Sequence, residues 1–473
     1  MIFKERWKVS LSKSNLAKNT ALLSIGTMLT KGINLIMIPL FSAWLSTEDY
    51  GMYDLLATYV SLLIPFITLS SSDAVFRFVI ESNADDDKKK YISTAFGINA
   101  INTCIVILGL IVVRLLTGWE YTLPFIALLV SELFLNHLQG VTRAIKQLRL
   151  YALANVVSTV GIASSVTFFV LVLKLGLTGM IYGYTVGYLI GEVLLVVSIK
   201  YWKYIHLSSI SFETVKQLVA YSYPLIPNNI CWWIINVSDR TLINIFLGAA
   251  ANGIYAIACK IPNFCASVFN VFNISWQEAA IDMLNSDKRN EYYNSIYNNT
   301  VSTMISLCAG VLSLNFFLFT YIFNERYFTA AFYTPILITS IVFSSLTQYF
   351  GGIQISLKRP KENGITTMIG AVVNVLIDLV LIKVIGIYAA AISTLVSNIV
   401  ICVIRYIRLY GEIEFKLEKK TCYYIVYYIY MFGMSYVFKS VVLSTLNLLL
   451  ASAMFCVINR EFIYKIIKKV VKQ

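Results

Sequence analysis

Apolar runs of about 20 residues or more recur along this chain from Asn19 to Ile458, divided by short polar stretches. A helix needs about 20 apolar residues to cross the hydrocarbon core of a bilayer. A backbone in that core has no water to bond, so each run must satisfy its own amides and carbonyls, as a helix does. The pattern therefore predicts an all-α membrane protein. Composition agrees: 58% of the 473 residues are hydrophobic and only 13% charged, with a mean hydropathy of +0.72. An ordinary soluble domain carries about 25% charged residues.

We place about fourteen transmembrane helices, at 19–45, 50–80, 92–116, 121–143, 150–173, 177–199, 218–247, 252–283, 295–321, 331–356, 364–384, 387–409, 421–438 and 441–459. Residues 1–18 read as a polar, basic leader, and the first apolar run is too long for the core of a cleavable signal. The eight cysteines form no C-x-x-C pair and fall mostly in apolar runs, so they read as small buried thiols. His137 and His206 are the only histidines, too isolated to suggest a metal site.

Charge orients this topology. Most of the 38 Lys and Arg fall in the leader, the even-numbered loops and the tail; Arg114, Lys174, Arg326, Lys383 and Lys439 fall on the other side. The positive-inside rule puts the rich side in the cytoplasm, with both termini. The net charge of +13 is then a topology signal, and no nucleic-acid partner is expected. The C-terminal REFIYKIIKKVVKQ reads as an amphipathic stretch on the inner leaflet. Every non-cytoplasmic loop is short, which leaves no room for an external catalytic domain, and no paired-carboxylate motif appears; an enzyme is not expected.

The chain echoes itself. LSTEDYGMYDLL (45–56) matches LGAAANGIYAIA (247–258), aligning Gly51 with Gly253 and Tyr53 with Tyr255. The stretch around Lys146 echoes that around Lys358, and LKLG (173–176) echoes IKVIG (382–386). Two six-helix bundles follow, with two further helices at the C-terminus. The expected divisions are a leader (1–18), an N-lobe (19–210), a C-lobe (211–410) and the last two helices with a basic tail (411–473). Parallel repeats of this kind place a substrate site between the halves. Pro39, Pro65, Pro224, Pro227 and Pro262 predict kinks in the first two spans of each half. Gly179, Gly183, Gly187 and Gly191 give the sixth span a small face suited to close helix approach.

SDRTLINIFLGAAANGIYAIACKIP (238–262) resembles the seventh–eighth helix hairpin of Wzx-type polysaccharide exporters, and IPLFSAWLSTEDYGMYDLLATYVSLLIPFITLSSSDAVFRF (38–78) resembles their first hairpin. Those exporters belong to the MOP superfamily, with the lipid II flippases and MATE drug antiporters. The resemblance covers nearly the whole chain in length, span count and internal repeat. It implies a MATE-like fold of two six-helix lobes in a V, with two peripheral C-terminal helices. It also implies a bacterial cytoplasmic-membrane flippase that moves an undecaprenyl-pyrophosphate-linked oligosaccharide from the inner to the outer leaflet for surface polysaccharide such as O-antigen or capsule. The implied partners are the lipid-linked oligosaccharide and membrane lipid, with a polysaccharide polymerase and chain-length machinery as further candidates.

The charges within spans are the candidate site, since each costs about 2.5–3.5 kcal/mol at the bilayer centre on insertion scales. An anionic pyrophosphate needs cations along its path. Lys31, Arg240 and Lys260 are assigned to it, with Arg77 nearer the cytoplasm. Arg240 either faces the cavity or joins Asp239 in an internal salt bridge. Asp73, four residues before Arg77, suits an intrahelical pair. Asp73, Glu132, Asp239 and Asp378 are candidates for binding a coupling H⁺ or Na⁺, or for internal pairing; no other cofactor is expected. Asn228, Asn229, Asn236, Asn270, Asn273 and Gln277 offer partners for sugar hydroxyls. The alternatives are a MATE-like cation-coupled drug antiporter, against which the buried cations argue, and a lipid II-type flippase.

Overall fold

The computed structural model describes residues 26–460 except 83, 224 and 438–440, and all their side chains except those of 73, 81, 207, 225–232, 235, 236, 271, 274 and 360. The basic leader and the C-terminal stretch therefore lie outside the described residues. So do the side chains of Asp73, Pro227, Asn228, Asn229 and Asn236, and the whole of Pro224.

The described residues form helices and no β-strand. Helix α1 covers 26–44, followed by α2 (Thr47–Ile67), α3 (Ser71–Glu81), α4 (Asp85–Thr117), α5 (Thr122–Ala144), α6 (Leu148–Val166) and α7 (Gly176–Ile199). A short α8 (Phe212–Ser222) leads to α9 (Leu225–Leu247), α10 (Ala249–Asp282), α11 (Arg289–Phe317), α12 (Ala330–Ser356), α13 (Pro360–Ile385), α14 (Tyr388–Leu409), α15 (Lys419–Met434) and α16 (Val441–Ile458). Among the described residues, 11 helices are long and apolar enough to cross a membrane. Large apolar side chains on their outer faces, such as Ile101, Ile105 and Leu108 on α4, are exposed, as a lipid solvent requires.

Two expected spans are broken. The run 50–80 ends as a helix at Ile67, and Leu69 and Ser70 take left-handed φ values of 49° and 52° before α3 begins. Pro65 lies one turn from the break, and its carbonyl accepts the Ser70 amide at 3.1 Å. Pro262, by contrast, sits inside an unbroken 34-residue α10. The run 218–247 divides at Tyr223, where α8 stops.

The chain forms two compact units: Met1–Leu45 with Met52–Ile230, and Ser46–Gly51 with Cys231–Gln473. In the first, α6 and α7 lie so close that a Cβ on Gly187 would meet Ile162 N at 2.4 Å, and one on Gly183 would meet Val166 N at 2.7 Å. The Gly179–Gly191 face is thus a packing face, and Ser158 Oγ donates to Gly187 O at 3.0 Å across it. His137 is a buried structural residue: Asn99 Nδ2 donates to its Nδ1 at 3.2 Å, leaving Nε2–H for the Tyr201 oxygen at 2.7 Å.

In the second unit a cluster around Trp276, Tyr293, Tyr349 and Phe350 forms the core. Arg405 of α14, inside the predicted span 387–409 but not among the charges singled out there, is buried. Its Nε donates to Thr366 Oγ1 (2.9 Å), its Nη1 to Thr347 O (2.8 Å) and its Nη2 to Thr367 Oγ1 (3.0 Å) and Asn363 O (3.2 Å). Neutral oxygens therefore hold this cation.

The internal repeat is visible in the backbone. Gln147 N donates to Thr142 O and Arg359 N to Gln354 O, the same six-residue closure of α5 and α12. Lys146 (φ 63°) and Lys358 (φ 60°), aligned in the sequence, occupy the left-handed position in each. Gly176 and Gly386, also aligned, both have positive φ.

Candidate functional site

The densest unsatisfied chemistry in the second unit surrounds Asp239, on α9. Its Oδ2 accepts from Tyr255 Oη of α10 at 2.6 Å and from Thr394 Oγ1 of α14 at 2.8 Å. The Asp378 carboxyl of α13 lies beside it. One turn before Asp378, Asn374 Nδ2 donates to Ser393 Oγ at 3.1 Å, and Ser238 Oγ donates to Asn374 Oδ1 at a long 3.4 Å. Asp239 is 2% exposed and Asp378 0%.

Three carboxyl oxygens here, Asp239 Oδ1 and both of Asp378, are buried without a hydrogen-bond donor. A buried acceptor left in that state costs about 1–3 kcal/mol, more if charged. Native structures nearly always complete such groups with a proton, an ion or a water. Arg240, the next residue to Asp239, is buried at 9% exposure. Two carboxylates this close repel one another when both are ionised, and a proton or a cation between them relieves that repulsion. The donors around the pair are all oxygens, the set that hard cations prefer. The residues present thus fit a proton or Na⁺.

The other predicted residues fall in both units. Lys260, half-buried on α10, has its Nζ 5.7 Å from the Tyr50 ring centroid. Lys31 on α1 and Arg77 on α3 belong to the first unit, and both are exposed. Glu132 of α5, also in the first unit, is half-buried beside Tyr188. Asn273 Nδ2 donates to Gln348 Oε1 at 3.2 Å. Sequence reasoning named Asp239 and Asp378 but missed Tyr255, Asn374, Ser393 and Thr394. The signal was there for Asn374: it and Asp378 are two polar residues four apart, one above the other on a strongly apolar helix.

The arrangement of helices is one that several solved membrane proteins share. The lipid II flippase MurJ in its inward closed conformation matches with a TM-score of 0.70 at 14% identity, covering 94% of this chain and 100% of its own. An outward-facing multidrug resistance MATE transporter of the MOP superfamily matches at 0.58 and 14% identity, covering 83% and 94%. A Vibrio cholerae MATE transporter, crystallised as a point mutant, matches at 0.58 and 15% identity, covering 85% and 99%. No curated protein matches in sequence. Residues 16–276, more than half the chain, match the polysaccharide biosynthesis protein family, and the chain belongs to that family.

Proposed function

We propose that this protein is a flippase that carries an undecaprenyl-pyrophosphate-linked oligosaccharide from the inner to the outer leaflet of the bacterial cytoplasmic membrane by alternating access, with both termini in the cytoplasm. The buried Asp239–Asp378 pair carries the coupled-transport part of the reading. Work must drive a polar glycan across hydrocarbon, and two abutting carboxylates take up a cation or proton to relieve their repulsion. Asp239 and Asp378, with Asn374 and Thr394, would hold H⁺ or Na⁺, which would relieve the repulsion between the two carboxylates when bound. Family membership supports a polysaccharide cargo, and Lys31, Arg77, Arg240 and Lys260 are the cations offered to its pyrophosphate.

The test is deletion of the gene followed by lipid extraction. Complete lipid-linked units should accumulate on the cytoplasmic side while surface polymer disappears. Unchanged lipid pools and unchanged polymer, with new sensitivity to cationic drugs, would instead favour the MATE-like antiporter. Accumulation of lipid II alone would favour a lipid II flippase.

A further inference from the structure

The two units share a framework at one place and differ in what fills it. Gly140 on α5 and Gly352 on α12 occupy aligned positions, each two turns before its left-handed lysine. In the second unit Trp276 fills the space: a Cβ on Gly352 would meet its Nε1 at 2.6 Å. That indole is 2% exposed, stacks on Tyr349 at 4.7 Å and donates to Tyr349 O at 2.9 Å. In the first unit the atoms nearest a Cβ added to Gly140 belong to Ser72, whose own Cβ would be 3.3 Å away. Beside Gly140 and Ser72 lies a cavity of about 320 Å³. This is within the range of small-ligand pockets, roughly 300–1,000 Å³.

The cavity is polar. It opens at the α2–α3 break and is lined there by Thr68, Ser70 and Ser72, and on α5 by Asn136, Gln139 and Arg143. Ser72 Oγ is buried and has no hydrogen-bond partner. Asn136 and Arg143 make no side-chain hydrogen bond or ion pair among the described residues. The Arg143 guanidinium stands 4.8 Å from the Phe76 ring centroid and 5.7 Å from that of Tyr151. Two aromatic faces thus hold it in place and leave its N–H edges for a ligand. Cores ordinarily fill such voids with apolar bulk. Here the space carries a fixed cation, an amide and an unspent hydroxyl.

The geometry points to a binding site in the first unit for a phosphate ester that bears hydroxyls. Arg143 takes the phosphate oxygens, and Ser72 and Asn136 take the hydroxyls. Two molecules present that chemistry: a glycosyl phosphate and the headgroup of phosphatidylglycerol. Choosing the glycosyl phosphate rests on the proposed function; the site itself does not.

The experiment uses the full chain purified in detergent. Glucose 1-phosphate is titrated by calorimetry, and dioleoylphosphatidylglycerol is compared with dioleoylphosphatidylcholine by native mass spectrometry. Arg143→Gln should weaken binding of the preferred probe by roughly tenfold or more, the weight of one charge-assisted contact. Arg143→Lys should restore part of it. Ser72→Trp, which installs the bulk that Trp276 provides in the second unit, should abolish it. Binding of glucose 1-phosphate supports a sugar-phosphate site. Preference for phosphatidylglycerol without glucose 1-phosphate binding supports a lipid headgroup site. Should Ser72→Trp fail to give a monodisperse protein, the Arg143 pair decides. If no probe binds the unaltered protein more tightly than Arg143→Gln, the proposal is overturned. Polysaccharide export that proves independent of the gene would overturn the proposed function and leave the binding result standing.

Discussion

Gly51 and Gly253, aligned in the internal repeat, lie against each other. A Cβ on Gly51 would sit 1.9 Å from Ala249 O and 2.5 Å from Gly253 N, and one on Gly253 would sit 2.0 Å from Thr47 O. Both belong to the second unit, where Asn252 Nδ2 donates to Gly51 O at 2.7 Å and Tyr327 Oη to Ser46 O at 3.1 Å. The first turns of α2 and α10 therefore touch backbone to backbone.

No rotamer change relieves a clash with backbone. Gly253→Ala should destabilise the protein by about 1–3 kcal/mol or force the two turns apart, read as a lower melting temperature in detergent. Gly109→Ala, in α4 where an added Cβ meets nothing within 4 Å, is the matched control. It should be neutral or slightly stabilising, by up to about 1 kcal/mol. Equal melting temperatures for the two variants would contradict the contact.

Asp378→Asn removes the charge but keeps the shape. If Na⁺ fills the pair, replacing choline chloride with sodium chloride should raise the melting temperature of the unaltered protein, by linkage of about 2.7 kcal/mol at a hundredfold excess over Kd. That rise should vanish in Asp378→Asn and in Asp239→Asn. If a proton fills it, sodium should have no effect and export in cells should respond to a protonophore. Full export by both variants at normal protein levels would remove the pair from the mechanism.

Arg405 is held by four neutral oxygens, two of them backbone carbonyls, and this predicts intolerance of a shorter cation. Arg405→Lys cannot reproduce the fork and should cost about 2–4 kcal/mol by leaving buried acceptors unpaired. Arg405→Met should cost a similar amount. A lysine variant that melts like the parent would show that charge alone suffices.

Gly187→Val should separate α6 from α7, because the added carbons would overlap the Ile162 backbone. We expect loss of monodisperse protein at permissive temperature, by size-exclusion chromatography. Gly310→Ala in α11, where an added Cβ is unopposed, should behave normally.

The fold class was legible because hydropathy reports the solvent each residue meets, and a bilayer admits few architectures. The repeat was legible at turns, since a left-handed cap such as Lys146 or Lys358 demands a local pattern. The break at Leu69–Ser70 was not: its residues are as apolar or small as their neighbours, and nothing in their order marks the left-handed backbone. Arg405 was passed over because it lies about one turn from the end of its predicted span, where a cation reads as reaching water until its partners are known. Asp239 and Asp378 stood out as charges, but their company did not. Tyr255, Ser393 and Thr394 come from other helices, and no spacing along one chain encodes that meeting.

Outside the α2–α3 break, the positive-φ residues other than glycine among the described residues are all lysines: Lys146, Lys174, Lys200 and Lys358. The left-handed backbone costs an L-residue about 1–2 kcal/mol, and glycine would lower that cost. Lysine adds a cation where the helix macrodipole is negative, and a stem long enough to bring its ammonium to the headgroups. Lys174 and Lys200 bracket the 24 residues of α7, a length of about 36 Å. Their ammonium groups therefore seek opposite water boundaries, and the typical hydrocarbon core is only about 30 Å thick. The pair acts as a depth gauge: in a thin membrane α7 must tilt, or draw the bilayer thicker around it, before both ends are wet.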